Sequence, residues 1–537
     1  MRSRRSTSLL ALGAITLAAP FNVAFRFAPP VFLLPLVALA LAVGLLTVAG
    51  GRGGLTPSPG RTPPRSSRRR RWLGALVAAT IGGVWLSAFA GPDLPLHAAT
   101  AARVCVMPLL ALATALHVED RADRAFLGRL AAVGAAAGAA LGAVVLVAGH
   151  EVVGSDVFFG QITRLGASDR LTRPWAHANV AAMAIGASAA GVAALGSRRA
   201  RVVMGATLVA ALVATASRGG ILALIVGAVA WMALARDDRR RAVVQVAGLA
   251  VVVVASIVAS PSVTGRVGAD EPLRWWGVEI DAPASLAIGP DGAPTSIRIE
   301  NTSEERWAAE GSEAVVLSAR FALEGSSEVV GEQRWPLPRP MDPSERLELD
   351  LVVEPLAPEG PVEITWDLLL DQRAYFRQFT GLAPVITQAD VVGPTPAGEP
   401  TSVGAFIDPP GRPSRPDLWR SGLTQFIDNP LLGAGPGGYS RGLDELTVSH
   451  GHSLVIEPLV SWGLLGTAPM LAIVAGAVVH AVRRAWASRD PFDRAVAAGV
   501  FAVAAHGLVD WHLVHVSVAI PLGILVGISW APPPTRS

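Results

Sequence analysis

The sequence predicts an α-helical polytopic membrane protein with a β-sandwich inserted in one long extracytoplasmic loop. Three observations lead there. Of 537 residues, 51% are hydrophobic and 16% charged, too little polar surface for a soluble chain of this length. Apolar runs long enough to cross a hydrocarbon core of roughly 30 Å recur about twelve times. Between the ninth and tenth runs, residues 276–392 abandon helical periodicity for alternation with period two.

The apolar runs lie near 8–26, 31–50, 72–91, 98–117, 127–149, 175–196, 202–217, 219–235, 242–260, 460–481, 494–511 and 514–530. Residues Met1–Ala19 have the basic start and apolar stretch of a signal peptide. A second run follows almost at once, so an uncleaved first span is expected. Arginine clusters recur in every second loop: Arg2, Arg4 and Arg5 before the first span, then "GRTPPRSSRRRR" (60–71), "EDRADR" (119–124), "SRRAR" (197–201), "RDDRRR" (236–241) and "RRAWASRDPFDR" (483–494). That is the positive-inside pattern and puts both termini in the cytoplasm. Apart from two very short early ones, the outward loops are then roughly 150–174, the turn Ser217–Gly220, 261–452 and "DWHLVH" (510–515). The basic balance, net +3, follows from these clusters, so no nucleic-acid partner is expected. Cys105 is the single cysteine, which excludes an intrachain disulfide framework.

The organisation expected is 1–260 N-terminal transmembrane helices, 261–275 linker, 276–392 extracytoplasmic β-sandwich, 393–418 Pro/Gly-rich linker, 419–459 extracytoplasmic loop segment and 460–537 C-terminal transmembrane helices. Period-two runs in the sandwich are "SIRIEN" (296–301), "AVVLSARF" (314–321), "RLELDLVV" (346–353) and "VEITWDLLL" (362–370), separated by proline and glycine turns. Asn301, Thr302 and Trp307, then Pro343, then Trp366 and Asp367 make this stretch similar to the Ig-like module of some bacterial glycosyltransferases.

Three polar features face outward: "SDRLTRPWAHAN" (168–179), "TASRGG" (215–220) and "SHGHS" (449–453). A charged residue between two apolar helices is costly without a partner. Arg218 therefore reads either as a snorkelling helix-end arginine or as an anion site, its planar fork matching phosphate oxygens. Arg170 and Arg173 carry a weaker version of the same reading, and Asn179 suits a helix start. His450 and His452 could chelate, act as a general base or decorate a loop. A closed zinc site needs further ligands. His177, His512 and His515 face outward too, but no C-x-x-C or H-E-x-x-H pattern is present, so no metal and no cofactor are expected. Asp428 and Glu457 read as capping or solvated acids.

Taken together these motifs resemble the O-antigen ligase/polymerase superfamily. Its Arg-x-x-Gly…His/Asn-Pro-Asn helix entry is matched by Arg170, His177 and Asn179, with Arg173 and Ala178 replacing glycine and proline. Its Ser-Arg-Gly turn is matched by Ser217, Arg218 and Gly219. Its Trp…Asp-x-Pro-Leu-x-Gly-x-Gly-x-x-x-Phe/Tyr loop is matched by Trp419, Asp428, Pro430, Leu431, Gly433, Gly435 and Tyr439. The closing His-Asn/Ser and Gly-x-x-Gly are matched by His452, Ser453, Gly463 and Gly466. The resemblance implies a GT-C-like fold and a metal-independent, inverting glycosyltransferase in the bacterial cytoplasmic (inner) membrane. Its site would face outward. Its partners would be a polyprenyl-diphosphate-linked glycan, an acceptor glycan, lipid or protein, and membrane lipids. His452 and Arg218 would then be catalytic. Arg170, Arg173, His177, Asn179, Ser217, Trp419 and Tyr439 would bind substrate. O-antigen ligase, polysaccharide polymerase and protein O-oligosaccharyltransferase share these motifs, and a lipid-linked oligosaccharide flippase would also need many spans and interior arginines.

Overall fold

The computed structural model describes residues 2–20, 65–148, 171, 175, 178–258, 276–304, 306–310, 314–324, 329–370, 374–377, 383, 385–392, 415–441, 452–488, 490–510 and 512–532. The chain is mostly helical with one β-sheet region. Before the sheets come α1 (Arg2–Ala18), α2 (Arg65–Ala90), α3 (Leu94–His117), α4 (Arg121–Ala148), α5 (Ala178–Ala189, extended by a 3-10 turn to Ala194), α6 (Arg198–Ala214), α7 (Arg218–Leu234) and α8 (Arg239–Val258). After them come α9 (Arg415–Asp428), α10 (Ile456–Ala487), α11 (Pro491–Val509) and α12 (Val516–Trp530).

Among the described residues, six helices are long and apolar enough to cross a membrane, and four shorter ones are strongly apolar. Several helix boundaries differ from the apolar runs, with α2 starting at Arg65 and α4 at Arg121 ahead of theirs. The first helix begins at Arg2, because the basic residues ahead of the apolar run are themselves helical. The tenth extends from Ile456 to Ala487, taking in flanking polar residues at both ends. The run at 31–50 lies outside the described residues.

Helix starts follow local chemistry. The Ser197 hydroxyl accepts from the Ala200 N–H at 3.0 Å and opens α6, and Ser217 does the same for Gly220 at 3.1 Å and opens α7. Asp490 accepts from the Phe492 N–H at 3.1 Å with Pro491 in the first turn of α11. Each satisfies a donor that the helix itself leaves orphaned.

The last three helices do not form a separate unit. α10 packs on α2, α11 on α7 and α12 on α3, so both halves of the chain share one apolar core. At one end of this bundle, Arg124 pairs with Asp493, both buried, and Arg121 with Asp490. The Arg484 guanidinium donates to the carbonyls of Ile528 at 2.7 Å and Ser529 at 3.1 Å, capping α12. From Asp493 to Asp510, α11 carries the chain about 25 Å at 1.5 Å per residue to the opposite end.

The strands are β1 (Val278–Asp281), β2 (Ser285–Ile288), β3 (Ala293–Asn301), β4 (Val315–Leu323), β5 (Val329–Pro336), β6 (Arg346–Val353), β7 (Gly360–Leu370), β8 (Ala374–Tyr375) and β9 (Val385–Val391). They form a sheet β1-β3-β6 and a second of order β2-β9-β7-β4-β5, with β8 on β7. Pairs are antiparallel except β2 with β9. Ile297, Ile299 and Val353 of the first sheet share a core with Phe321, Ile364 and Trp366 of the second. Alternating inward positions on both sheets supply this layer.

Candidate functional site

The polar constellation lies at the bundle end opposite the Arg124–Asp493 pair. Its centre is Asp510, which caps the C-terminus of α11 through its N–H on the His506 carbonyl at 2.9 Å. Its side chain is 1% exposed. One carboxylate oxygen, Oδ1, faces His452 Nδ1 at 2.9 Å and His512 Nε2 at 3.2 Å. The other, Oδ2, accepts from Asn179 Nδ2 at 2.5 Å. An ionised carboxylate can only accept, so His452 Nδ1 carries its proton toward it, while His512 Nε2 stands at ion-pair distance from the same oxygen. Burial alone would raise this carboxyl, but His512 and then His452 outweigh it and hold Asp510 well below the usual carboxylate range.

His452 reaches Asp510 because the chain after it is pinned. The Leu454 N–H donates to the Gly507 carbonyl at 2.6 Å, tying this segment to the last turn of α11. The Ser453 hydroxyl accepts from the Val455 N–H at 3.2 Å and turns the chain into α10. His452 itself has φ +47°, a left-handed conformation uncommon for a residue with a Cβ. Its side chain keeps 27% exposure, so the ring is anchored at Nδ1 and only partly covered.

The Ser-Arg-Gly turn joins the same end. Ala216 has φ +47° and Ser217 caps α7, which leaves Arg218 exposed at the first position of the helix. Gly219 lies against His506. A Cβ there would stand 2.8 Å from both Cδ2 and Nε2 of that ring, so only glycine permits the approach. Leu171 donates its N–H to the Ala214 carbonyl at 2.9 Å, at the end of α6. Arg170, Arg173, His177 and His450 lie outside the described residues.

Residues 428–441 wrap the kinked start of α10. At Gly463 φ is +58°, and a Cβ would sit 2.3 Å from the Leu431 carbonyl, so glycine is required. Leu464 N–H donates to Pro430 O at 2.8 Å and Ala434 N–H to Val460 O at 2.8 Å. His97 Nδ1 meets Pro436 O at 2.9 Å. Tyr439 is fully buried and its hydroxyl donates to the Leu418 carbonyl at 2.6 Å, so it braces the loop; Trp419 is half-buried. Asp428 is exposed, whereas Glu457 is buried and accepts from the Ser461 hydroxyl at 3.0 Å. The two acids therefore differ in surroundings and do not read as a matched pair.

His506, Asp510 and His512 offer three ligand atoms within 4.8 Å of one another, all from buried residues. No family model matches this chain, and comparison with curated proteins gives no match.

Sequence reasoning gave Asp510 no role. The available signal was an acid at the mouth of two apolar helices, which demands partners, in a loop that also carries His512 and His515.

Proposed function

We propose that this chain is a multi-pass glycosyltransferase of the O-antigen ligase/polymerase type. It moves a glycan from a polyprenyl-diphosphate carrier to an acceptor hydroxyl on the outer face of the bacterial cytoplasmic membrane. The reading includes about twelve spans in a GT-C-like arrangement. The observation that carries it is the His452–Asp510–Asn179 constellation, standing at the same bundle end as the Ser217-Arg218-Gly219 turn. The four motifs quoted from the sequence support it independently.

In this reading Asp510 holds His452 Nδ1–H, which makes Nε2 the nitrogen that acts as base. Nε2 takes the proton of the acceptor hydroxyl as its oxygen attacks the anomeric carbon from the face opposite the diphosphate. The bond from the anomeric carbon to the diphosphate oxygen breaks, and its electron pair leaves with the polyprenyl diphosphate. Arg218 meets the charge that grows there, and the first turn of α7 adds its partial positive end. Arg170, with Arg173 and His177, takes the rest of the diphosphate. The acceptor is left with an inverted glycosidic bond.

The test is reconstitution of the purified protein in vesicles with a polyprenyl-diphosphate glycan and a panel of glycan, lipid and peptide acceptors. Covalent transfer with inversion, read by NMR of the product, is expected. Glycan crossing the bilayer with no covalent product would replace this reading with a flippase.

A further inference from the structure

The end of α11 carries a grouping larger than the transfer reaction uses. His506 and Asp510 are four apart and so share one face of the last helical turn. At Asp510 the chain turns extended, with φ −154° and ψ 153°, and in extended chain the residue two further on returns to the same side. His512 is that residue. The spacing His-x-x-x-Asp-x-His thus converges two imidazoles and one carboxylate from a single short segment. His506, Asp510 and His512 are 1%, 1% and 2% exposed. Their ligand atoms lie within 4.8 Å of one another.

Two imidazoles and a carboxylate are the donor set of divalent first-row cations that favour nitrogen, zinc foremost. Zinc bonds of about 2.0–2.2 Å place ligand atoms at most about 4 Å apart, so rotations of the side chains close the set. We propose that His506, Asp510 and His512 bind one divalent transition-metal ion and that this ion inhibits the enzyme. The inhibitory half rests on the transferase reading above; the binding half does not. On binding, His506 and His512 each present an unprotonated ring nitrogen to the metal, so binding releases any proton held there. The carboxylate that orients His452 Nδ1 becomes a metal ligand, and the His452 ring loses its anchor. His452 is not needed as a ligand, so the metal site shares Asp510, but not the base itself, with the transfer chemistry.

The experiment is equilibrium dialysis of full-length, tag-free protein in nanodiscs, stripped by chelator, against zinc at micromolar concentration. About one zinc per chain is expected for the wild type, at least tenfold weaker binding for His506→Gln and His512→Gln, and retained binding for His452→Asn. Cobalt(II) added to the wild type is expected to give visible absorption bands, a readout that needs no variant to fold. Absence of stoichiometric metal in the wild type, or unchanged affinity in both glutamine variants, overturns the site. Zinc bound at one per chain with undiminished transfer overturns the inhibition. If no transfer is found under any condition, the transferase reading falls and the metal measurement still decides the site.

Discussion

His452 Nδ1 stands 2.9 Å from Asp510 Oδ1, although 58 positions separate the two residues in the chain. Two helices lie between them in sequence, and the Leu454–Gly507 hydrogen bond closes the loop. The pairing fixes one nitrogen of a partly exposed ring.

Asp510→Asn keeps the shape of that acceptor and removes its charge. Either the amide offers its N–H to His452 or its oxygen binds more weakly, and the ring loses its fixed tautomer. Transfer should fall by on the order of 10²–10⁴, the range of general-base and base-orienting losses. Initial rates on protein that elutes as wild type from size exclusion check this, and retention of more than half the activity would remove Asp510 from the mechanism.

Asn179 donates to the second oxygen of the same carboxylate. Asn179→Ala leaves that buried oxygen short of a donor, which costs about 1–3 kcal/mol. Asn179→Asp sets a second carboxylate against the first and should be the more damaging of the two. Thermal unfolding in detergent ranks them, and equal melting temperatures would contradict the order.

Gly219→Ala forces a methyl to within 2.8 Å of the His506 ring. Overpacking of this kind costs about 1–3 kcal/mol, and the start of α7 carrying Arg218 must shift. Gly74→Ala meets nothing within 4 Å and should not destabilise. Unfolding temperature and transfer rate measured on both variants separate the contact from the general effect of replacing a helical glycine.

Much of the helical architecture was legible, because long apolar runs and arginine-rich loops are one-dimensional signals. The sandwich was legible only in part. β3, β4, β6 and β7 coincide with the period-two runs, whereas β1 and β2 have four residues each and β8 two, too short to show a period. β9 alternates in burial, but its partners are β7 and a parallel β2 that no local pattern announces. The site was half legible. His452, Asn179 and the Ser217-Arg218-Gly219 turn could be picked out by type and position. Asp510 meets His452 and Asn179 because three helix ends come together in space, which no spacing along the chain records.

The sandwich carries its own pH dependence. Burial pushes the Asp367 carboxyl up to about 6, against the lowering effects of Arg377, the Leu368 N–H and Arg320. Its folded value lies above its unfolded one, so the folded state holds the extra proton between about 4 and 6. That stabilisation is present below about 4 and lost as pH rises through 6. Glu332 runs the other way: burial opposes it, but hydrogen bonds from Arg334, Ser318 and Tyr375 hold it below the usual carboxylate range, so its contribution fades only under more acidic conditions. Protection of β4 and β7 amides, corrected for intrinsic exchange, should fall from pH 5 to pH 7 in the wild type and stay level in Asp367→Asn. A rise over that interval would contradict the assignment.

The decisive measurement is single-turnover transfer by purified His452→Ala beside the wild type, with labelled polyprenyl-diphosphate glycan and a competent acceptor. The wild type should release one polyprenyl diphosphate for each glycan joined to the acceptor, and the variant should bind donor while transferring at least about 10²-fold more slowly, as loss of a general base requires. Transfer by the variant at a rate near that of the wild type would contradict the role given to the His452–Asp510 pair.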